Sequence, residues 1–291
     1  MPATVSPLTQ GAILIVLSEL LIVTMSSAIK VVSLELPNEM LVFFRNLFGL
    51  LVLLPVLLRG GLARVRTTRL RLHLLRAAAG MGAMYCFFYT IAHMPLAEAT
   101  LFALTAPFLI PVMALLWMRE SIPRSTWLAI AIGFAGVAAV LRPGSEALSA
   151  VALIALLGAA CSALARVVIR RMSSSEPSTR IVGYFALFAT LISAVPLLWA
   201  WQTPSREALA WLLLMGCCAS AAHLLFTRAY SLAPAGQIGP FTYVSVVLAT
   251  MSGWLFWGEV PHAATFAGMA LIASAGALIL RSGVRRPVAQ H

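Results

Sequence analysis

The sequence contains no aspartate, and nine glutamates supply all of its acidic side chains. Only 10% of the 291 residues are charged, whereas 61% are hydrophobic. Soluble domains carry roughly 25% charged residues, so this chain has too few to cover the surface of a soluble protein. The composition therefore predicts an integral membrane protein.

Motifs for enzyme chemistry are also missing. The chain has no His-Glu-x-x-His motif, no P-loop and no Cys-x-x-Cys pair, and the lack of aspartate removes most carboxylate pairs. Its four cysteines lie in apolar stretches, at spacings that suit neither a disulfide framework nor a metal site: Cys86, Cys161, Cys217 and Cys218. We predict no enzyme activity, no cofactor and no metal. Without a nucleotide-binding motif, any transport would run on gradients.

Two further classes are disfavoured. The net charge of +11 does not indicate nucleic-acid binding, because the arginines cluster at the ends of apolar stretches without interleaved aromatic residues. The N-terminus lacks the basic region and the cleavage site of a signal peptide, so we expect the first apolar stretch to be retained.

An internal repeat organises what is present. The stretch Pro95–Glu120 and the stretch Pro234–Glu259 are 139 positions apart at both ends, and each runs from a proline turn through an apolar span to a glutamate. An offset near half the length of the chain indicates two tandem copies of one unit. We place the copies at residues 1–143 and 144–291.

Ten apolar segments are long enough to span a membrane, which takes about 20 residues per helix. They run continuously without the alternation of strands, so we predict helices. The segments are 10–31, 39–58, 72–93, 96–118, 125–142, 147–168, 181–201, 207–231, 236–257 and 263–281.

The distribution of positive charge predicts the orientation of these helices. With a cytoplasmic N-terminus, the cytoplasmic loops and tail hold fifteen arginines, whereas the outer loops hold only Lys30, Arg142 and Arg206. Both termini are then cytoplasmic. Since each copy has five helices, the second must be inverted relative to the first, an architecture typical of secondary transporters with a substrate site near the midplane.

Several residue groups match one known pattern. They are Lys30, Leu36-Pro37 and Phe44-Arg45, the turn Pro95–Ala99, the Pro107 helix ending in Glu120 with its copy ending in Glu259, and the pairs Ala135-Gly136 and Ala275-Gly276. From about residue 10 to 282 the chain resembles the drug/metabolite transporter superfamily, and within it the EamA-type ten-helix exporters. The resemblance implies a cavity lined mainly by helices one, three, four, six, eight and nine. It also implies cargo among amino acids, nucleotide-related metabolites, amines and drugs. The Asn-Tyr-Leu-Trp-Pro run of the aromatic amino-acid exporters is replaced here by Leu104–Pro107.

Ionisable residues inside apolar helices are candidates for function, because they are costly to insert. Glu19, near the middle of helix one, shares a face with Ser26. It is a candidate for proton coupling or for binding an amine; the alternative is a protonated carboxyl bonded to a neighbouring helix. Arg45 in helix two either reaches the interface, or pairs with a carboxylate or binds an anionic group. For Arg228, near the end of helix eight, the sequence favours the interface.

Polar and aromatic stripes supply the remaining binding candidates. His223 and Thr227 lie one turn apart on helix eight, and the histidine either shuttles protons or simply bonds a backbone carbonyl. Tyr85 and Tyr89 on helix three are candidates for stacking on a planar substrate, with interfacial anchoring as the alternative. Helix nine adds Tyr243 and Trp254.

Prolines and glycines in the repeated stretches are candidate hinges. Pro107 and Pro111 in helix four, and Gly239 and Pro240 at the start of helix nine, break the backbone ladder and suit moving gates; the alternative is a static kink. Glycines of helices five and ten favour close helix packing, with a homodimer face as a further option.

We conclude that the sequence predicts a secondary or facilitative transporter of the bacterial inner membrane. It would export amino acids or similar small metabolites by alternating access, as a monomer or homodimer in the bilayer and without nucleic-acid partners. Alternatives are a drug, amine or nucleotide-metabolite transporter of the same fold, a membrane enzyme acting on lipid-linked substrates, or a scramblase-like protein.

Overall fold

A computed structural model describes residues 6–59, 67–119, 124–141, 150–172, 175–232 and 239–284, and all regular structure in these ranges is helical. The helices are α1 Pro7–Val32, α2 Asn38–Arg59, α3 Leu70–His93, α4 Leu96–Ala103, α5 Ala106–Met118, α6 Arg124–Leu141, α7 Ala150–Met172, α8 Ser178–Ala194, the single turn α9 Leu197–Ala200, α10 Arg206–Leu232, the 3-10 turn Gly239–Tyr243, α11 Val244–Trp257 and α12 Ala263–Val284.

The lengths and composition of these helices are those of a membrane protein. Six stretches of the described residues are long and apolar enough to cross a bilayer, and four shorter apolar helices accompany them. Each of the ten predicted segments coincides with one of these stretches. Many large apolar side chains point outward, as they do in a protein surrounded by lipid. The class of multi-pass helical membrane protein is thereby supported.

Three predicted helices are interrupted: the segment 181–201 is divided into α8 and α9, and the other two interruptions fall at matching positions of the repeat. Helix α4 ends at Ala103 and α5 begins at Ala106; in the second copy the 3-10 turn gives way to α11 after Tyr243. Leu104 and Tyr243 are 139 positions apart. The described residues with positive φ, Arg119 at 55° and Gly258 at 65°, have the same spacing and end α5 and α11. The two copies therefore share their local backbone, as left-handed C-caps at equivalent sites.

The four predicted hinge residues lie at the start of a helix or inside one. Pro107 lies in the first turn of α5, where a missing N–H costs nothing, and Pro111 lies within α5 without ending it. The break precedes Pro107 by a turn, because a continuous helix would press its ring against the carbonyl of Ala103. Gly239 and Pro240 open the 3-10 turn. Whether these positions act as hinges stays a prediction.

The main helix contacts join the two halves of the chain. Helix α1 packs on α10 and α3 on α7, while α2 packs on α8 and α6 on α12. Exchanging each helix for its counterpart in the other copy converts the first pair into the second and leaves the other two pairs unchanged. The halves therefore interlock with a two-fold pattern of contacts.

Glycines of α6 and α12 serve contacts within the chain. A side chain at Gly136 would collide with Ile272 and Leu271 of α12, and one at Gly133 would collide with the ring of Phe108. A side chain at Gly276 would collide with the Tyr243 ring. The close packing predicted for these glycines is therefore present inside one molecule.

Candidate functional site

A cavity of about 270 Å³ lies between α1, α2, α3, α4 and α7. Its wall is mostly apolar and includes Met84, Phe87, Phe88 and Phe102, but Arg45 and Arg166 also border it. The family resemblance implied that predicted helices one, three, four and six line the cavity, and α1, α3, α4 and α7, which correspond to them, do so. Helix α2 also contributes, through Arg45. Among the described residues, none from α10 or α11 borders this particular cavity.

Arg45 and His223, both candidates from the sequence, are brought together. Arg45 Nη2 lies 3.1 Å from His223 Nε2, and Arg45 Nη1 donates to Asn46 Oδ1 at 3.4 Å. A guanidinium only donates, so this geometry makes Nε2 the acceptor and places the ring proton on Nδ1. His223 is thus a neutral partner that orients a cavity-lining arginine.

Arg76 belongs to the same group of charges. Its guanidinium lies 4.0 Å from the centre of the Phe185 ring and folds along Gly80, a residue of the cavity wall. It interacts electrostatically with both Arg45 and Arg166. In the sequence, Arg76 and Arg166 count among the fifteen cytoplasmic arginines and are not predicted as site residues. The sequence does contain a feature that links Arg76 to Arg45, because each stands four residues before a glycine, Gly80 and Gly49 respectively.

Glu19 and Ser26 lie in α1 but away from the cavity wall. Glu19 is 6% exposed and Ser26 is 3% exposed, and the Ser245 side chain of α11 hydrogen-bonds Glu19. The Ser245 hydroxyl donates to the Thr242 carbonyl at 2.6 Å. The same hydroxyl therefore lies between the Thr242 carbonyl and the Glu19 carboxyl group. Glu19 is a buried acid at the contact between the two halves.

The other candidates are dispersed. Tyr85 packs into the main core with its hydroxyl buried and unbonded, and Tyr89 stacks on His93 with ring centres 4.0 Å apart. Neither borders the cavity. Tyr243 packs against Gly276 of α12. Trp254 is 63% exposed, and Arg228 is exposed on α10. The side chain of Thr227 lies outside the part that the structure describes.

Lys30 and Glu259 join the halves at one end of the bundle. They form an ion pair, and Lys30 Nζ also donates to the Met94 carbonyl at 3.1 Å. Glu259 Oε2 accepts from the Leu96 backbone N–H at 2.9 Å, satisfying a free donor at the start of α4. From the sequence alone, Glu259 is only the residue that ends the second repeat, whereas in the structure it joins Lys30 and the start of α4. Its counterpart, Glu120, lies outside the described residues.

A second polar junction lies where α3 begins and α7 ends. Glu176 accepts from Thr67 Oγ1 at 2.5 Å and from Arg180 Nη1 at 2.7 Å, and His73 Nε2 lies 4.0 Å away. Burial alone would raise the pKa of Glu176, but these hydrogen bonds and the neighbouring positive charges hold it below the usual value. The junction ties the start of α3 to the connection between α7 and α8.

These features define a class, a multi-pass helical membrane protein with charged side chains around an internal cavity. The family model for the EamA-like transporter family matches the chain twice, over residues 9–142 and 149–281. The chain belongs to this family, which confirms the resemblance to the drug/metabolite transporter superfamily.

Characterised relatives are similar over most of their length. The chain is 34% identical to the pseudopaline exporter CntI of Pseudomonas aeruginosa, covering 91% of this chain and 94% of that protein. It is 30% identical to a riboflavin transporter of Rhizobium johnstonii (87% and 84% covered). It is 26% identical to an S-adenosylmethionine uptake transporter of Rickettsia bellii (82% of each). A crystal structure with 18% identity has the same fold, with a TM-score of 0.62 over 96% of this chain and 99% of that one.

Proposed function

We propose that the protein is a secondary transporter of the bacterial inner membrane that exports an amino acid or a similar small metabolite. The observation that carries this proposal is the cavity of about 270 Å³ with Arg45 and Arg166 on its wall. Pockets for small molecules begin at about 300 Å³ and are mostly apolar with a few polar groups. A compact metabolite with a charged group suits such a space.

Alternating access is the proposed mechanism. The two-fold pattern of helix contacts supports two halves, residues 1–143 and 144–291, that rock against each other around the cavity. With ten spans and both termini cytoplasmic, as the arginine distribution favours, the halves have opposite orientations. Export is favoured by the relative named as an exporter.

Glu19 is the proposed coupling residue. It is buried where α1 meets α11, beside the Ser245 hydroxyl, and burial of a carboxyl group disfavours its charged form. Uptake and release of a proton at Glu19 as the halves move would link transport to a proton gradient. Arg45 and His223 are the proposed binding residues. A nucleotide-related metabolite is the second candidate, because relatives are named for riboflavin and S-adenosylmethionine.

Purified protein in liposomes tests the proposal. Labelled amino acids, amines and nucleosides are offered with and without a pH gradient, and protein-free liposomes serve as the control. We expect protein-dependent flux of at least one amino-acid-like compound. A panel that shows no flux above the control under either condition would count against a transporter of small metabolites.

A further inference from the structure

Arg45 and Arg76 enter the bundle from opposite ends and turn towards its middle. Arg45 lies about 10 Å from the start of α2, and Arg76 lies about 9 Å from the start of α3, at 1.5 Å per residue. Asn38 Nδ2 donates to the Tyr85 carbonyl at 3.0 Å, so the start of α2 lies beside the later part of α3. The two helices are therefore antiparallel.

Both side chains lean the unusual way along their helices. The guanidinium of Arg45 lies beside Gly49 and that of Arg76 beside Gly80, in each case one turn further from the nearer helix end. Long side chains on helices normally lean towards the N-terminus, and an arginine reaching for the interface would lean that way here. These two arginines instead extend towards the cavity.

A third arginine meets them from α7. Arg166 borders the cavity with Arg45, and Arg76 interacts electrostatically with both. Within the described ranges no carboxylate lies within ion-pair distance of Arg45 or Arg76, and the histidine against Arg45 is neutral. Positive charges that converge at membrane depth repel one another and are costly. A bound anion would offset that cost.

We infer that Arg45, Arg76 and Arg166 bind a cargo whose head carries two negative charges and whose body is apolar. This inference depends on the proposed transport function only in treating the bound molecule as one that is transported. A guanidinium fork suits the paired oxygens of carboxylate and phosphate groups. The body of the cargo would contact Met84, Phe87 and Phe88. A cationic amine would meet repulsion, since Glu19 lies off this wall.

Binding to the purified chain in detergent tests the site without any flux. Three probes share a phenyl body and differ in the head: phenylsuccinate, phenyl phosphate and phenethylamine. At constant ionic strength, we expect one or both anionic probes to raise the melting temperature in a saturable manner, and the amine to leave it unchanged. The better of the two anions identifies carboxylate or phosphate as the preferred head. Stabilisation by the amine alone, or by no probe, would overturn the inference.

Substitutions locate the binding. Arg45→Gln and Arg76→Gln should each weaken the affinity for the bound anion by about tenfold or more, as expected for a lost charge-assisted hydrogen bond. Arg71→Gln removes an exposed arginine of the same helix and should leave the affinity unchanged. Arg76→Lys keeps the charge and is the variant to use if Arg76→Gln does not fold. Anion affinity that survives both Arg→Gln substitutions would contradict the site.

The two proposals fail separately. Saturable anion binding that depends on Arg45 and Arg76, without liposome flux of either the bound anion or any compound of the panel, would uphold the site and contradict transport. Protein-dependent flux of amines, with no arginine-dependent anion binding, would uphold transport and contradict the site.

Discussion

At the scale of single residues, Gly80 leaves the space that the Arg76 side chain occupies, whereas Gly49 does not restrict Arg45 in the same way. A side chain at Gly80 would collide with the end of Arg76 and with the ring of Phe185, whereas one at Gly49 would meet Arg45 only at 3.9 Å, an ordinary contact. The spacing of four residues between arginine and glycine therefore leaves no room for a side chain at Gly80 but leaves room for one at Gly49. This difference provides a matched pair of substitutions.

Gly80→Ala should displace the Arg76 guanidinium, because the flexible side chain moves more easily than the helix backbone. We expect the affinity for the anionic probe to fall about as far as in Arg76→Gln, while Gly49→Ala stays near the unsubstituted protein. The affinity of each variant for the probe is measured by titrating the probe and recording the melting temperature. Equal effects of the two alanines would show that crowding of Arg76 is not what matters.

Glu19→Gln separates coupling from binding. Glutamine keeps a hydrogen bond to Ser245 but cannot release a proton, so transport should lose its dependence on a pH gradient while anion binding is retained. Flux is measured in liposomes with and without the gradient. Transport that responds to the gradient as before would remove Glu19 as the coupling residue.

At the scale of elements, two junctions fix helix ends. In Glu259→Gln the amide oxygen still accepts from Leu96 N–H, but Lys30 loses its charged partner. We expect a loss of about 1–3 kcal/mol of stability, measured as a lower melting temperature. Glu207→Gln, an exposed glutamate in the first turn of α10, is the control. Identical melting of both variants would show that the junction contributes nothing measurable.

The Glu176 junction should be sensitive to acid. Its folded-state pKa lies below the ordinary 4.5, so its stabilising effect is complete above that pH and is lost as the pH falls through the lowered value. Glu176→Gln should therefore melt below the unsubstituted protein at pH 7, and the gap should narrow below about pH 4.5. Melting curves of both proteins, recorded across this pH range, measure the difference in melting temperature. A gap that widens in acid would contradict the assigned role.

The sequence predicted the elements better than their interruptions. Hydrophobic runs located every helical stretch because apolar length dominates that signal. The break at Leu104 was assigned to Pro107 itself, although the clash acts one turn earlier. In the second copy Val246 stands where Pro107 stands in the first, so no proline at that position marks the transition after Tyr243. Such a break depends on tertiary packing.

At the scale of the whole molecule, the sequence predicted two copies but not how they interlock. An offset of 139 residues contains no information on which helices touch, and the pairing of α1 with α10 and α3 with α7 appears only in the fold. The same limit explains the missed arginines. Counting charges places Arg76 and Arg166 near helix ends, whereas the Arg76 side chain extends along its helix to Gly80, a residue of the cavity wall, and Arg166 borders the cavity itself.

The two halves of the chain touch near the Lys30 end of α1. The hydroxyls of Ser27 in α1 and Ser252 in α11 lie 2.8 Å apart, close enough for a disulfide between cysteines at these positions. In a chain freed of its four native cysteines, Ser27→Cys with Ser252→Cys should lose transport on oxidation and regain it on reduction, because rocking requires the contact to open. Binding of the anionic probe should persist, since the cavity lies elsewhere. Either single cysteine is the control. Full transport by the oxidised, cross-linked protein would exclude opening at this contact.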